Sequence, residues 1–289
     1  MKDYTKLLTR ASLLLEKRGI KGHTAATRFV HDFKTNLVYF DAIGVGNAEE
    51  TIALLENDDN LTDSSILHTN FKCTIEDLIS EKLRNDLIFP KMFDILLDNN
   101  GKGVGAGELA LPLILANYRF SNVSDGLLEG KYKVELKKDG ASLKPVKTGL
   151  TEKGLVDELN KKYFDGTVPG KKSKKLFEKH LATIKNPSQY KSYFEELYVG
   201  CDITTLFEEV LSAYTDANDF CTAVGKFALR EYKKVDGWNN IIYINSENRK
   251  VVNICDPDNI DDLNLKFSPV MRRGKDTQAI ADGYVNVKI

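Results

Sequence analysis

The chain is 289 residues long. A chain of roughly 300 residues buries about three quarters of its unfolded surface, so it needs no disulfide or metal staple to fold. Hydrophobic residues make up 42% and charged residues 29%, which excludes a mostly disordered chain. The 41 Lys and Arg against 42 Asp and Glu leave a formal charge of −1. That excludes nucleic-acid binding through bulk charge and leaves only a local basic patch.

The longest apolar run, Leu109 to Ala116 with Pro112 inside it, has eight residues. A membrane span needs about 20, so none is expected. The start, Met1-Lys2-Asp3-Tyr4-Thr5-Lys6, lacks the apolar stretch and small-residue cleavage site of a signal peptide. Cys73, Cys201, Cys221 and Cys255 are far apart, and His23, His31, His68 and His180 do not cluster with them. No structural zinc site is therefore expected, and reduced thiols in a cytoplasmic compartment are the default.

In chain order, the first hundred residues read as mainly helical. Leu7, Leu8, Leu13, Leu14 and Leu15 recur at helical spacing. Further helices are expected over His23 to Phe33 and Ala48 to Glu56, from Thr74 through Leu87, and over Lys91 to Leu97 after Pro90. A glycine-rich loop, Gly101 to Gly107, leads to a short buried helix expected to start near Glu108, with Pro112 in its first turn. Asp125-Gly126 and Glu129-Gly130 are turn signals, and Lys131 to Lys137 is an alternating strand. Helices return over Thr151 to Tyr163, Ser173 to Ile184, Pro187 to Tyr198, Ile203 to Tyr214 and Ala217 to Lys233. Asn240 to Asn245 and Lys250 to Cys255 read as a hairpin, with further strands at Leu263 to Phe267 and Tyr284 to Ile289. The order implies an α+β fold. The expected organisation is a mainly helical region over residues 1–100, then an α+β core over 101–289 with a helical insertion around 151–233.

Chemistry concentrates in the segment from Asp125 to Lys137. Side chains alternate faces along a strand, so Tyr132, Val134 and Leu136 point to a core while Lys133, Glu135 and Lys137 point the other way. Asp125, ten residues upstream, opens a hairpin arm that can bring it beside Glu135. Two adjacent carboxylates repel unless a cation joins them. Mg²⁺ is held in this way by one or two carboxylates together with phosphate and water, and it serves phosphodiester hydrolysis. A lysine two residues from the glutamate can orient the attacking water, and Glu108 is a further acidic candidate. The alternative is that Lys133, Glu135 and Lys137 form the wet face of an antiparallel strand, with Asp125 only a turn residue.

Asp125, Glu135 and Lys137, with Glu108 before them, resemble the D…E-x-K pattern of the PD-(D/E)XK, or restriction-endonuclease-like, nuclease superfamily. The stretches Gly105-Ala106-Gly107-Glu108 and Gly140-Ala141-Ser142-Leu143 are similar to a variant found in bacteriophage-encoded members. The likeness covers about 40 residues, and Ser124 stands where a proline is usual. It implies a restriction-endonuclease-like mixed sheet flanked by helices, and Mg²⁺- or Mn²⁺-dependent DNA hydrolysis. Asp125, Glu135 and Glu108 would be the metal ligands, and Lys137 the water-positioning residue. Lys138, Ser142 and Lys144 would contact the DNA backbone. A homodimer or phage virion partners are compatible with it. The rival implication is a virion structural or assembly protein that keeps the fold without the chemistry. Lys171 to Lys175 read as a solvated loop, and the Arg272-Arg273-Lys275 cluster either holds DNA backbone or is simply a loop. Trp238, Tyr243 and Arg249 are possible base contacts but more ordinary as packing residues.

Overall fold

A computed structural model describes residues 2–20, 24–98, 105, 107–121, 124–143, 191–192, 195–196, 198, 200–212, 217–273 and 279–289. The chain forms two compact units, one made of Met1–Asp139 and Trp238–Asp256, the other of Gly140–Gly237 and Pro257–Ile289. The compact units therefore do not divide near residue 100. The fold is mixed α+β.

The first unit holds helices α1 (Thr5–Lys17), α2 (Thr24–Ala42), α3 (Ala48–Glu56), α4 (Glu81–Arg84) and α5 (Phe89–Leu97). Its six strands are β1 (Phe71–Thr74), β2 (Tyr118–Phe120), β3 (Gly126–Leu128), β4 (Tyr132–Lys138), β6 (Asn240–Asn245) and β7 (Lys250–Ile254). They form one sheet in the order β1-β7-β6-β4-β3-β2. Only the β4–β6 pairing in this sheet is parallel; the others are antiparallel. A parallel neighbour needs a crossover, and here residues 140–237 separate the two strands in sequence.

Local sequence explains most of these elements. In α1 the buried Leu7, Ala11, Leu14 and Leu15 share one face. Helix α2 runs to Ala42 rather than ending at Phe33, because Phe29, Phe33 and Leu37 continue a buried stripe at four-residue steps. Asn47 caps α3 by accepting from Glu49 N at 3.1 Å. Before α5, Asp86 accepts from the Ile88 and Phe89 amides at 2.9 and 2.6 Å, and Pro90 sits in the first turn.

Two expected helices are not there. The stretch from Thr74 to Leu87 is a strand end, a 3-10 turn (Ile75–Leu78) and the short α4. Its start is claimed by the sheet, since β1 pairs with β7 and Ile75 N donates to Arg249 O at 2.8 Å. The segment after Glu108 is a set of tight turns with one 3-10 turn, Leu111–Leu113. Pro112 has no N–H for a helical ladder. Leu109 to Ala116 are all buried, so the segment has no wet face for an amphipathic helix to present. Its end is tied across the fold, where Thr62 N donates to Ile114 O and Ala116 N to Thr62 O, each at 2.9 Å.

One face of the sheet joins the helices in a single core. Tyr118, Leu128, Val134, Leu136, Ile242, Ile244 and Val251 pack in the same cluster as Leu14, Phe33, Leu55, Phe89 and Phe93. The helical N-terminal region is therefore built onto the sheet.

In the second unit, β5 (Ser142–Leu143), β9 (Ala279–Lys288) and β8 (Lys266–Arg273) form an antiparallel sheet in that order. It is accompanied by α6 (Thr204–Ser212) and α7 (Ala217–Asp236). Gly225 of α7 lies against the ring of Phe267, where a Cβ would collide. Arg230 ties the unit together by pairing with Glu209 at 3.1 Å and Asp258 at 2.9 Å. The helices expected over Thr151–Tyr163 and Ser173–Ile184 lie outside the described residues, as does most of Pro187–Tyr198. Among the described residues no helix is long and apolar enough to cross a membrane.

Candidate active site

Strand β4 carries Glu135 and Lys137 on the face away from buried Val134 and Leu136. The β3–β4 register pairs Gly126 with Val134. The ladder thus brings Asp125, which immediately precedes β3, opposite Glu135. Its carboxylate accepts the Leu136 amide at 2.7 Å, so Asp125 serves as the ladder partner that the short β3 does not supply. Ser124 shapes the same turn by donating from Oγ to Gly126 O at 2.8 Å.

The carboxyl groups interact directly. Asp125 is held above its ordinary pKa, first by burial and then by the charge of Glu135, with which it also shares a side-chain hydrogen bond. Lys137 forms an ion pair with Glu135 Oε1 and partly offsets this.

Glu108 joins from the loop before the 3-10 turn. It is 7% exposed, and its Oε1 accepts the Gly105 amide at 2.6 Å. Burial, and then the charge of Asp125, push it up to about 7 against that stabilising bond. Glu135 raises it further, and Lys137 lowers it. Glu108 is placed by Gly107, whose φ of +85° and close approach to the Ile244 side chain leave no room for a Cβ.

Asp125, Glu135, Lys137 and Glu108 therefore lie close enough to influence one another electrostatically. Asp125 and Glu135 side by side are the kind of carboxylate pair that a hard divalent cation can join. The fit rests on Asp125 and Glu135, because no group of three or more His, Cys, Asp or Glu among the described residues converges as a metal site.

The three expected backbone contacts fare differently. Lys138 is exposed, but alternation along β4 places it on the face of Val134 and Leu136. Ser142 donates from Oγ to Asn286 Oδ1 at 2.6 Å, within the second unit. Lys144 lies outside the described residues. Trp238 and Tyr243 are buried, which removes them as base contacts. Arg249 is engaged with Glu76 and with Asp94 at 2.9 Å.

Two hydroxyls near the carboxyls escape sequence reasoning. Tyr118 and Tyr243 are fully buried, and neither hydroxyl has a hydrogen-bond partner among the described residues. Tyr118 feels Asp125 and Glu108; Tyr243 feels Glu135. The sequence offers Tyr118 only as a core residue and Tyr243 as a packing residue or base contact, not as a neighbour of the carboxyls. Their nearness to the carboxyls depends on strand order.

No protein-family model, characterised protein or solved structure matches the chain.

Proposed function

We propose that this protein is a metal-dependent nuclease that hydrolyses DNA phosphodiester bonds, built on a restriction-endonuclease-like core. The observation that carries the reading is the placement of Asp125 against Glu135, with Lys137 and Glu108 beside them. The mixed sheet supports it, since the antiparallel strands β2–β4 lead to a parallel partner after a long crossover.

On this reading Asp125 and Glu135 hold Mg²⁺ or Mn²⁺, and Glu108 assists. The cation would neutralise charge on the scissile phosphate and acidify water. Lys137, only partly exposed beside Glu135, orients the attacking water and offsets negative charge as the P–O bond breaks. Asp125 is kept in place by the Leu136 amide. Glu108, near 7, can carry or release a proton close to neutral pH.

A second reading is favoured by one observation, the Lys137–Glu135 ion pair. A lysine that neutralises the glutamate permanently would make the cluster structural, as in a virion assembly protein that keeps only the fold.

Cleavage decides between them. Supercoiled, linear and single-stranded DNA are incubated with Mg²⁺, Mn²⁺ or EDTA, beside a Glu135→Ala, Lys137→Ala double variant. The nuclease reading expects cleavage that needs metal and falls at least a hundredfold in the variant (on the order of 3 kcal/mol of barrier). A folded protein inert with both metals favours the structural reading.

A further inference from the structure

The sheet face that bears Glu135 and Lys137 carries a second row of side chains. Strands β2, β3 and β4 are joined in the registers Arg119↔Leu127 and Leu127↔Lys133. Residues directly opposite in an antiparallel ladder project to the same face, and Glu135 and Lys137 follow Lys133 at even steps. Arg119, Leu127 and Lys133 therefore lie across three strands in one row. Glu135 stands one pleat further along, about 7 Å by strand rise. Adjacent strands are about 4.8 Å apart, which puts the Arg119 and Lys133 backbones about 10 Å from each other.

The burial pattern agrees. Arg119 is exposed between buried Tyr118 and Phe120, and Lys133 is exposed beside buried Val134. Asn239 pins the Lys133 backbone from both sides. The Lys133 amide donates to Asn239 Oδ1, and the Asn239 amide donates to Lys133 O, each at 2.8 Å.

What sets these two cations apart is their position on the face that carries Glu135 and Lys137. Arg10, Arg18, Lys137, Arg230 and Arg249 are all tied to carboxylates. Arg119 and Lys133 make no ion pair with any described residue, although they sit on the same face as Glu135, opposite which Asp125 lies. Those carboxyls repel an approaching polyanion. A chain of net charge −1 has no general positive field to overcome that, so attraction must come from local unneutralised cations. An arginine and a lysine rising from rigid strands can contact successive phosphates, with the half-buried Leu127 as an apolar floor between them.

We propose that Arg119 and Lys133 form a phosphate-binding row that leads the DNA backbone to the carboxyl cluster. This proposal rests on the nuclease reading and assigns the substrate's path on that site.

The test is binding of a fluorescein-labelled 30-base-pair duplex, followed by anisotropy in EDTA at several KCl concentrations between 50 and 200 mM. EDTA prevents cleavage. The full chain is compared with an Arg119→Glu, Lys133→Glu variant. A control, Lys6→Glu, Lys91→Glu, makes the same change in net charge at exposed lysines of α1 and α5. The row predicts at least a tenfold loss of affinity in the first variant. Its salt slope becomes shallower by about two, because each neutralised phosphate contributes about 0.9. The control stays within twofold of wild type. An Arg119→Gln, Lys133→Gln variant, with smaller electrostatic disturbance, repeats the loss in the same direction if charge reversal harms folding.

Equal losses in the row and control variants would leave only net charge at work and overturn the row. Wild-type binding that the row substitutions leave unchanged would overturn it too, while the nuclease reading stands. Absence of wild-type binding even at 50 mM KCl would overturn the row, while the nuclease reading is decided separately by the metal-dependent cleavage assay.

Discussion

Glu108 stands furthest from its ordinary protonation state among the site's carboxyl groups. It is buried on the apolar segment 109–116, near Asp125 and Glu135, and its one compensating bond comes from the Gly105 amide. Its value rises from 4.5 to about 7 on folding. At about 1.4 kcal/mol per pH unit this is on the order of 3 kcal/mol. The native state binds the proton more tightly than the unfolded chain does. Glu108 thus contributes stability that is fully present below 4.5 and lost as pH rises through 7. Asp125, also raised, acts in the same sense. Denaturant unfolding in EDTA is expected to show Glu108→Gln gaining on the wild type as pH rises from 5 to 8. The gain should reach roughly 2–3 kcal/mol. A constant difference between the two proteins across that range would contradict the assignment. The residue types of this site were legible in the sequence, because E-x-K spacing puts Glu135 and Lys137 on one strand face. The shift of Glu108 was not legible, because it depends on burial and on charges that arrive from other elements.

At the scale of elements, strands β2 to β4 hold the site, and their closeness depends on Gly126. The hydroxyl of Tyr118 occupies the space that a Cβ on residue 126 would need. Gly126 pairs with Val134 in the register that sets Asp125 opposite Glu135. Gly126→Ala must push Tyr118 or β3 aside, and overpacking of this kind costs about 1–3 kcal/mol. The expected outcome is a lower denaturant midpoint at unchanged slope and, on the proposed nuclease reading, metal-dependent cleavage reduced by more than the stability loss explains, since Asp125 moves with its neighbour. Full activity in a normally stable Gly126→Ala protein would show that the turn tolerates the displacement. The sequence marks Asp125-Gly126 as a turn signal, but Asp125 lies in a bend and Gly126 opens strand β3. It does not say that the glycine makes room for a tyrosine on the neighbouring strand. Helix α5 was readable from Pro90, a local signal. The expected helix after Glu108 failed because Pro112 and a wholly apolar run describe burial without describing which backbone conformation is buried.

At the scale of the molecule, the cation and the fold should report on each other. If Asp125 and Glu135 hold a divalent ion only in the native state, Mn²⁺ stabilises that state by mass action, about 2.7 kcal/mol at a hundred times its Kd. The thermal midpoint of wild type is therefore expected to rise with Mn²⁺ measured against EDTA. The rise should vanish in Glu135→Ala and remain in a control such as Lys6→Glu. An equal rise in Glu135→Ala would place the ion elsewhere. Neighbouring residues suffice for the α+β class, helix α3, the β6–β7 hairpin, the inward face of β4, and the pairing of a glutamate with a lysine two residues on. Each follows from side-chain periodicity and local hydrogen bonding. Long-range packing was needed to join β1 and the N-terminal helices to the sheet. It was needed also to return β6 parallel to β4, to bring Tyr118 and Tyr243 near the carboxyls, and to set Arg119 on the same face as Glu135. These depend on strand order and register, which are set by the burial of the whole apolar surface and not by any window of the chain.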